Sequence, residues 1–158
     1  MRPIQGRGPV LDWPQRVRNS QAFVGFGTQA AVAAVASQVQ CFNPAASGRY
    51  ILVKSIWAYV SVAQDLFLTF YNVAHATLAM TGVCAKNGGT AALGQVRTDT
   101  NAAILGTQFR RMAAAAGLWV PLHNDLVCEL SAGQGVNVSQ QGVNALVTAA
   151  FEWVEVTQ

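Results

Sequence analysis

Two histidines, three cysteines and a scatter of carboxylates are the side chains that could do chemistry here. His123, Asp125 and Cys128 fall close together in "HNDLVC" and can be drawn as a Cys-His-Asp site, in which the imidazole activates the thiol and the carboxylate orients the imidazole. On a strand, however, positions 123 and 125 share a face and 128 does not. Asn124-Asp125 also reads as a turn, where Asp is favoured for local hydrogen bonds. His75, in "NVAHATLAM", follows a strand-like run and sits among apolar residues, which suits a buried or loop histidine with satisfied hydrogen bonds. Cys41, Cys84 and Cys128 are odd in number and widely spaced, so they form no disulfide framework and no zinc pattern. Each has apolar neighbours and reads as a small buried hydrophobe. No carboxylates recur at the alternating positions of a calcium loop. "GFGTQAA" (25–31) has two glycines but lacks the third glycine, the lysine and the helix of a phosphate loop. Glu152 and Glu155 fall on opposite faces of the final strand and make no acid/base pair. Arg110-Arg111 reads as a solvated turn or an interface pair. The expectation is a protein that is not an enzyme, with no catalytic residues, no metal and no cofactor.

The elements that would carry these residues are strands. "RYILVKSIWAYVSVA" (49–63) puts Tyr50, Leu52, Lys54, Ile56, Ala58, Val60 and Val62 on one face. Ile51, Val53, Ser55, Trp57, Tyr59 and Ser61 fall on the other. Both faces are rich in β-branched and aromatic residues, as in a strand covered on both sides. "DLFLTFYNV" (65–73) continues after Ala63-Gln64, a connection short enough for a tight reversal. "VASQVQCFNPAASG" (35–48) reads as a strand ending in a turn marked by Asn-Pro and Ser-Gly. "TQAAVAAVAS" (28–37) suits strand or extended loop over an alanine-driven helix. "KNGGT" (86–90) is a turn, "GQVRTDT" (94–100) a short edge strand, and "QFRRMAAAAG" (108–117) one or two helical turns or a loop. "LVCELSAG", "GVNVSQQ" and "NALVTAAFEWVEV" close the chain as strands divided by Gly-rich turns. Short strands at regular spacing predict an all-β fold, an antiparallel β-sandwich, jelly-roll-like.

Charge divides the chain at Gln21. Residues 1–21 carry four arginines, Arg2, Arg7, Arg16 and Arg18, against Asp12, a net of +3. Residues 22–158 carry six basic and six acidic side chains, so the body is neutral and the arm holds the whole excess. A neutral body is a poor nucleic-acid binder, since that binding rests on many phosphate contacts. Residues 1–20 lack the apolar h-region of a signal peptide. "AFVGFGTQAAVAAVA" (22–36) is too short and too interrupted for a membrane span. No nucleic-acid or membrane partner is expected. Hydrophobic residues make up 52% and charged residues 11%, against about 25% charged in ordinary domains. So few charges suit a surface buried against other chains. The domains expected are an extended basic Pro-rich arm (1–21) and a sandwich (22–158). Arg2, Pro3, Arg7, Trp13, Arg16 and Arg18 are the arm's candidate partner-binding residues, because arginine forks grip carboxylates and Trp is a common anchor.

"SQVQCFNPAASGRYILVKSIWAYVSVA" followed by "GVNALVTAAFEWVEV" resembles small structural proteins of tailed-phage virions. The resemblance covers about residues 35–71 and 126–156. It implies a β-sandwich that acts by assembling, with no catalytic residues to carry over. The expected function is a capsid decoration or cement protein of a bacteriophage, made in the host cytoplasm and located in the virion. Its partners would be itself, as a homotrimer, and the major capsid protein or another virion protein, reached through the arm. Two alternatives stand beside it: a tail fibre or tail adaptor protein, and a carbohydrate-binding module in which Trp57, Tyr59 and Trp119 stack on sugars.

Overall fold

Alternation along the chain builds eleven strands among the described residues. The computed structural model describes residues 13–141 and 144–157, and of 124–127 the backbone alone. Arg2, Pro3 and Arg7 therefore lie outside the described residues. A short helix α1 (Trp13–Arg18) comes first, so this part of the arm is helical where extended chain was expected. Arg16 and Arg18 occupy its last turn, where positive charge complements the helix dipole. The strands follow as β1 (Ala22–Gln29), β2 (Ala36–Phe42), β3 (Arg49–Val60), β4 (Gln64–Phe70), β5 (Thr77–Thr81), β6 (Val83–Cys84), β7 (Gln95–Asn101), β8 (Thr107–Ala114), β9 (Trp119–Leu130), β10 (Gly135–Gln140) and β11 (Val147–Thr157).

They form two antiparallel sheets, ordered β6-β1-β11-β3-β9 and β5-β7-β2-β10-β4-β8. With β5–β7 set aside, the remaining quartets are β1-β11-β3-β9 and β2-β10-β4-β8. This is the jelly-roll order, two interlocked Greek keys. The segment β5–β7 is an insertion between β4 and β8. It extends the second sheet with β5 and β7, and the first with β6. The Ala63-Gln64 connection is a corner between sheets rather than a hairpin, since β3 and β4 belong to different ones. The expected Asn-Pro turn is present: Ser47 N–H donates to Pro44 O, and buried Asn43 Nδ2 donates to the carbonyls of Arg49 and Leu130.

Three local readings change. Residues 108–114, expected as helical turns or loop, are strand β8, because pairing with β4 overrides the helix propensity of the alanines. Strand β7 lies between β5 and β2 rather than at an edge. Most consequential is an irregularity at Lys54, which has no place in the ladder with β11: Ser55 pairs with Glu152, and Val53 with Trp153. A bulge shifts the alternation by one. Ile51 and Val53 thus share the buried face with Ile56, Ala58 and Val60, while Trp57 and Tyr59 turn outward.

Between the sheets, Phe23, Val39, Ile51, Ile56, Leu66, Val96, Val138, Phe151 and Trp153 are buried. The Trp153 ring fills a slot walled by glycines. A Cβ at Gly25 or Gly94 would come within 2.9 Å of it, and one at Gly82 would overlap it. Gly27 is equally constrained, since a Cβ there would lie 2.9 Å from Val96. The "GFGTQAA" glycines therefore exist for close packing of the sheets, not for a phosphate.

Candidate interaction surface

The two sheets treat their outer faces differently. The six-stranded sheet is covered by its own chain over its central strands, while its edge strands β5 and β8 stay exposed. Its outward residues Gln38, Gln40, Asn137 and Ser139 are all fully buried, beneath the stretches that follow β4 and β7. Gln40 Nε2 donates to the carbonyls of Tyr71 and Val73, and its Oε1 accepts from His75 N–H. Gln38 Nε2 donates to Ala103 O, and Thr69 Oγ1 to Leu105 O. Asn137 Nδ2 donates to Gln38 Oε1 and Ser139 Oγ, both at 2.7 Å. Its Oδ1 faces His75 Nε2 at 3.0 Å, which assigns the imidazole proton to Nε2. Arg97 Nε closes the set on His75 O.

His75 is thus a buried loop histidine, hydrogen-bonded through Nε2 and both of its backbone groups. Burial holds its pKa below the usual imidazole value, against the raising effects of Asn137 and Asp99, with Arg97 adding to the depression. Its Nδ1 has no hydrogen-bond partner and lies 3.8 Å from Asp99 Oδ2. The network consists of hydrogen bonds that pin loops over a sheet, which buried polar groups require.

Among the described residues, the outer face of the five-stranded sheet is left open around Phe26, Trp57 and Trp119. Because Gly25 and Gly27 point inward, Val24 and Phe26 point out; Phe26 is 60% exposed. The register places Phe26 beside Ala150, Ala150 beside Trp57, and Trp57 beside Pro121. The next row runs Thr28, Thr148, Tyr59, Trp119. Tyr59 and Trp119 contact each other with ring centroids 6.0 Å apart, and Trp119 is 50% exposed. At the other side, Val24, Phe26, Trp57, Met80 and Val83 line a shallow apolar groove. The structure therefore gathers Trp57, Tyr59 and Trp119 on one exposed face. Sequence alternation assigned Trp57 and Tyr59 to a strand covered on both sides and overlooked the groove, although the alternate glycines of β1 carried its signal.

The arm joins the body at the margin of this face. Lys54 Nζ sits 4.1 Å above the Trp13 ring and 3.8 Å from Glu152 Oε2, which also accepts from Ser55 Oγ. Glu152 borders the groove. Lys86 Nζ donates to Arg18 O. Of the six candidate arm residues, then, Trp13 packs on the sheet, while Arg16 and Arg18 end the helix beside it.

Of the other candidates for chemistry, the Asp125 side chain lies outside the described residues. His123 and Cys128 lie on β9, facing Ile56 and Val53 across the ladder. Burial pushes the Cys128 thiol up to about 12 and raises Cys41 well above the ordinary thiol range, where nearby Cys128 and Glu155 add to the effect. Neither is a ready thiolate at neutral pH. Glu155 points into the sandwich, away from Glu152. Its Oε1 accepts from the amides of Leu93 and Gly94 and from Trp153 Nε1, and its Oε2 pairs with Arg49 at 3.2 Å. Among the described residues no group of three His, Cys, Asp or Glu side chains is placed to hold a metal, and no helix is long and apolar enough to cross a membrane. Comparisons with protein-family models, curated proteins and solved structures found no match to the chain.

Proposed function

We propose that this chain is a structural protein of a phage virion, a decoration or cement protein that works by assembling rather than by catalysis. The observation that carries this reading is the asymmetry of the sandwich. One outer face is covered over its central strands by the protein's own loops, and the other, among the described residues, is left apolar, aromatic and open. Exposed apolar faces of this kind mark contact surfaces. The basic arm enters beside that face and supplies the arginines for carboxylates on a neighbouring subunit, the major capsid protein or another virion protein. Jelly rolls recur in viral capsids and in lectins, a likeness of fold that supports the reading without deciding it.

Imaging and quantitative mass spectrometry of the virions test it. A shell protein is expected in many copies per particle, and a tail fibre or adaptor in few. Absence from particles overturns both. Removing residues 2–12 keeps α1 and the body, and is expected to abolish particle binding while leaving the fold intact; undiminished co-sedimentation refutes the role of Arg2, Pro3 and Arg7.

A second reading has an observation of its own. Trp57, Tyr59 and Trp119 share one face, with Trp57 and Trp119 exposed, which suits stacking on a sugar ring. A glycan array on the body checks it: binding lost on Trp119→Ala supports a carbohydrate module, and a blank array removes it.

A further inference from the structure

We propose that the bare face of the five-stranded sheet is closed by the same face of a second copy, in a twofold pair where Trp119 of each chain enters the groove of the other. This rests on the reading that the protein acts by assembling, and it names the surface and the symmetry.

The face carries both halves of a self-complementary contact. The groove runs over β1 and β11 and is lined by Val24 and Phe26 of β1, Val83 of β6, Trp57 of β3 and Met80 of β5. The projecting ring of Trp119 stands on β9, at the opposite edge of the sheet. Three strand spacings separate β1 from β9, about 14 Å at ~4.8 Å each. A twofold axis passing between β11 and β3 exchanges the two features, as an isologous contact requires. A threefold ring instead needs projection and groove on two different flanks. Here both lie on one sheet face, so this contact closes as a pair, and the homotrimer expected from sequence would need a different surface.

The area agrees with a stable contact. Phe26, Trp57, Trp119, Val24 and Val83 expose 60%, 39%, 50%, 38% and 56% of their surfaces. With aromatic side chains spanning roughly 150–250 Å² each, the five expose on the order of 400–500 Å². A standard interface covers about 800 Å² per partner, of which roughly 56–65% is apolar, or about 450–520 Å². At the margin, Lys54 and Glu152 are paired with each other, so bringing two copies together opposes no unpaired like charges there.

The test is sedimentation velocity on the full chain up to about 100 μM, where a contact of even ~10 μM affinity is populated. The expected mass is twice the 16.7 kDa of the chain. Phe26→Glu and Trp119→Lys are each expected to weaken the pair at least 100-fold, with circular dichroism unchanged because both residues are exposed. A chain carrying both substitutions is expected to regain it, since each new Glu faces the partner's new Lys. A folded wild type that stays monomeric overturns the proposal, as do single variants that associate like wild type or a double variant that stays apart. A monomer that is nonetheless abundant in virions overturns the pair alone. A pair absent from virions overturns the virion reading alone.

Discussion

Glu155→Ala offers a sharp test of how the inner end of the sandwich is held. The carboxylate is 1% exposed and accepts from Leu93 N–H and Gly94 N–H at 2.8 Å, from Trp153 Nε1 at 3.3 Å, and from Arg49 at 3.2 Å. Alanine leaves two backbone amides and an indole N–H without an acceptor. Each unsatisfied buried donor costs about 1–3 kcal/mol. The Arg49 side chain is 37% exposed and regains water, so its share is discounted to the surface range of about 0–1 kcal/mol. The Leu93 amide is only partly buried, so the two buried donors, Gly94 N–H and Trp153 Nε1–H, set the expected loss at about 2–6 kcal/mol, a large part of the roughly 5–15 kcal/mol that holds such a domain together. Urea unfolding at fixed protein concentration measures it, because association adds to apparent stability. The corresponding drop in Tm is about 4–24 °C, at ~2–4 °C per kcal/mol for a chain of this size. Amide exchange at Leu93 and Gly94 is expected to accelerate well beyond the rest of the core. An alanine variant within about 1 kcal/mol of wild type, with those amides still protected, would refute the account.

Other outcomes follow from the same contacts. Gly82→Ala drives a methyl into the Trp153 ring and is expected to cost about 1–3 kcal/mol, read from the urea midpoint. Trp153→Ala empties the slot and is expected to cost about 3–5 kcal/mol by the same assay. Because burial depresses the His75 pKa, the unfolded chain takes up that proton first on acidification. The histidine's contribution is therefore full above about pH 6.5 and declines as pH falls toward the folded pKa, by up to ~1.4 kcal/mol per unit. Urea midpoints taken from about pH 8 to 5 report this, and an unchanged profile in His75→Gln rules it out. Asn137→Leu leaves Gln38 and His75 without their shared partner, and proteolysis is expected to cut first in 71–76 and 101–106, which depend on that network.

The period-two patterns of residues 49–60 and 147–157, and the Asn-Pro and Gly turns between runs, were enough to announce strands and a sandwich, because alternation and turn chemistry are local properties. The final strand was legible almost residue by residue: Val147, Ala149, Phe151, Trp153 and Glu155 do face inward. Charge partition between arm and body was equally plain, being a matter of counting. What one sequence could not disclose was set by partners distant along the chain. The bulge at Lys54 lies where β3 pairs with both β11 and β9, and it decides which side chains of β3 are core and which are surface. Strand β8 is a strand because β4 lies beside it. His75 joins Asn137 across 62 residues, and Gln38 joins Ser139 across 101, so neither pair has a local signature. The bare face is likewise a product of tertiary structure. Val24, Phe26, Trp57 and Trp119 come from strands β1, β3 and β9, and only sheet order makes them neighbours. Local spacing governs which way a side chain alternates; the pairing of distant strands governs what it meets, and any function of this protein rests on that second level.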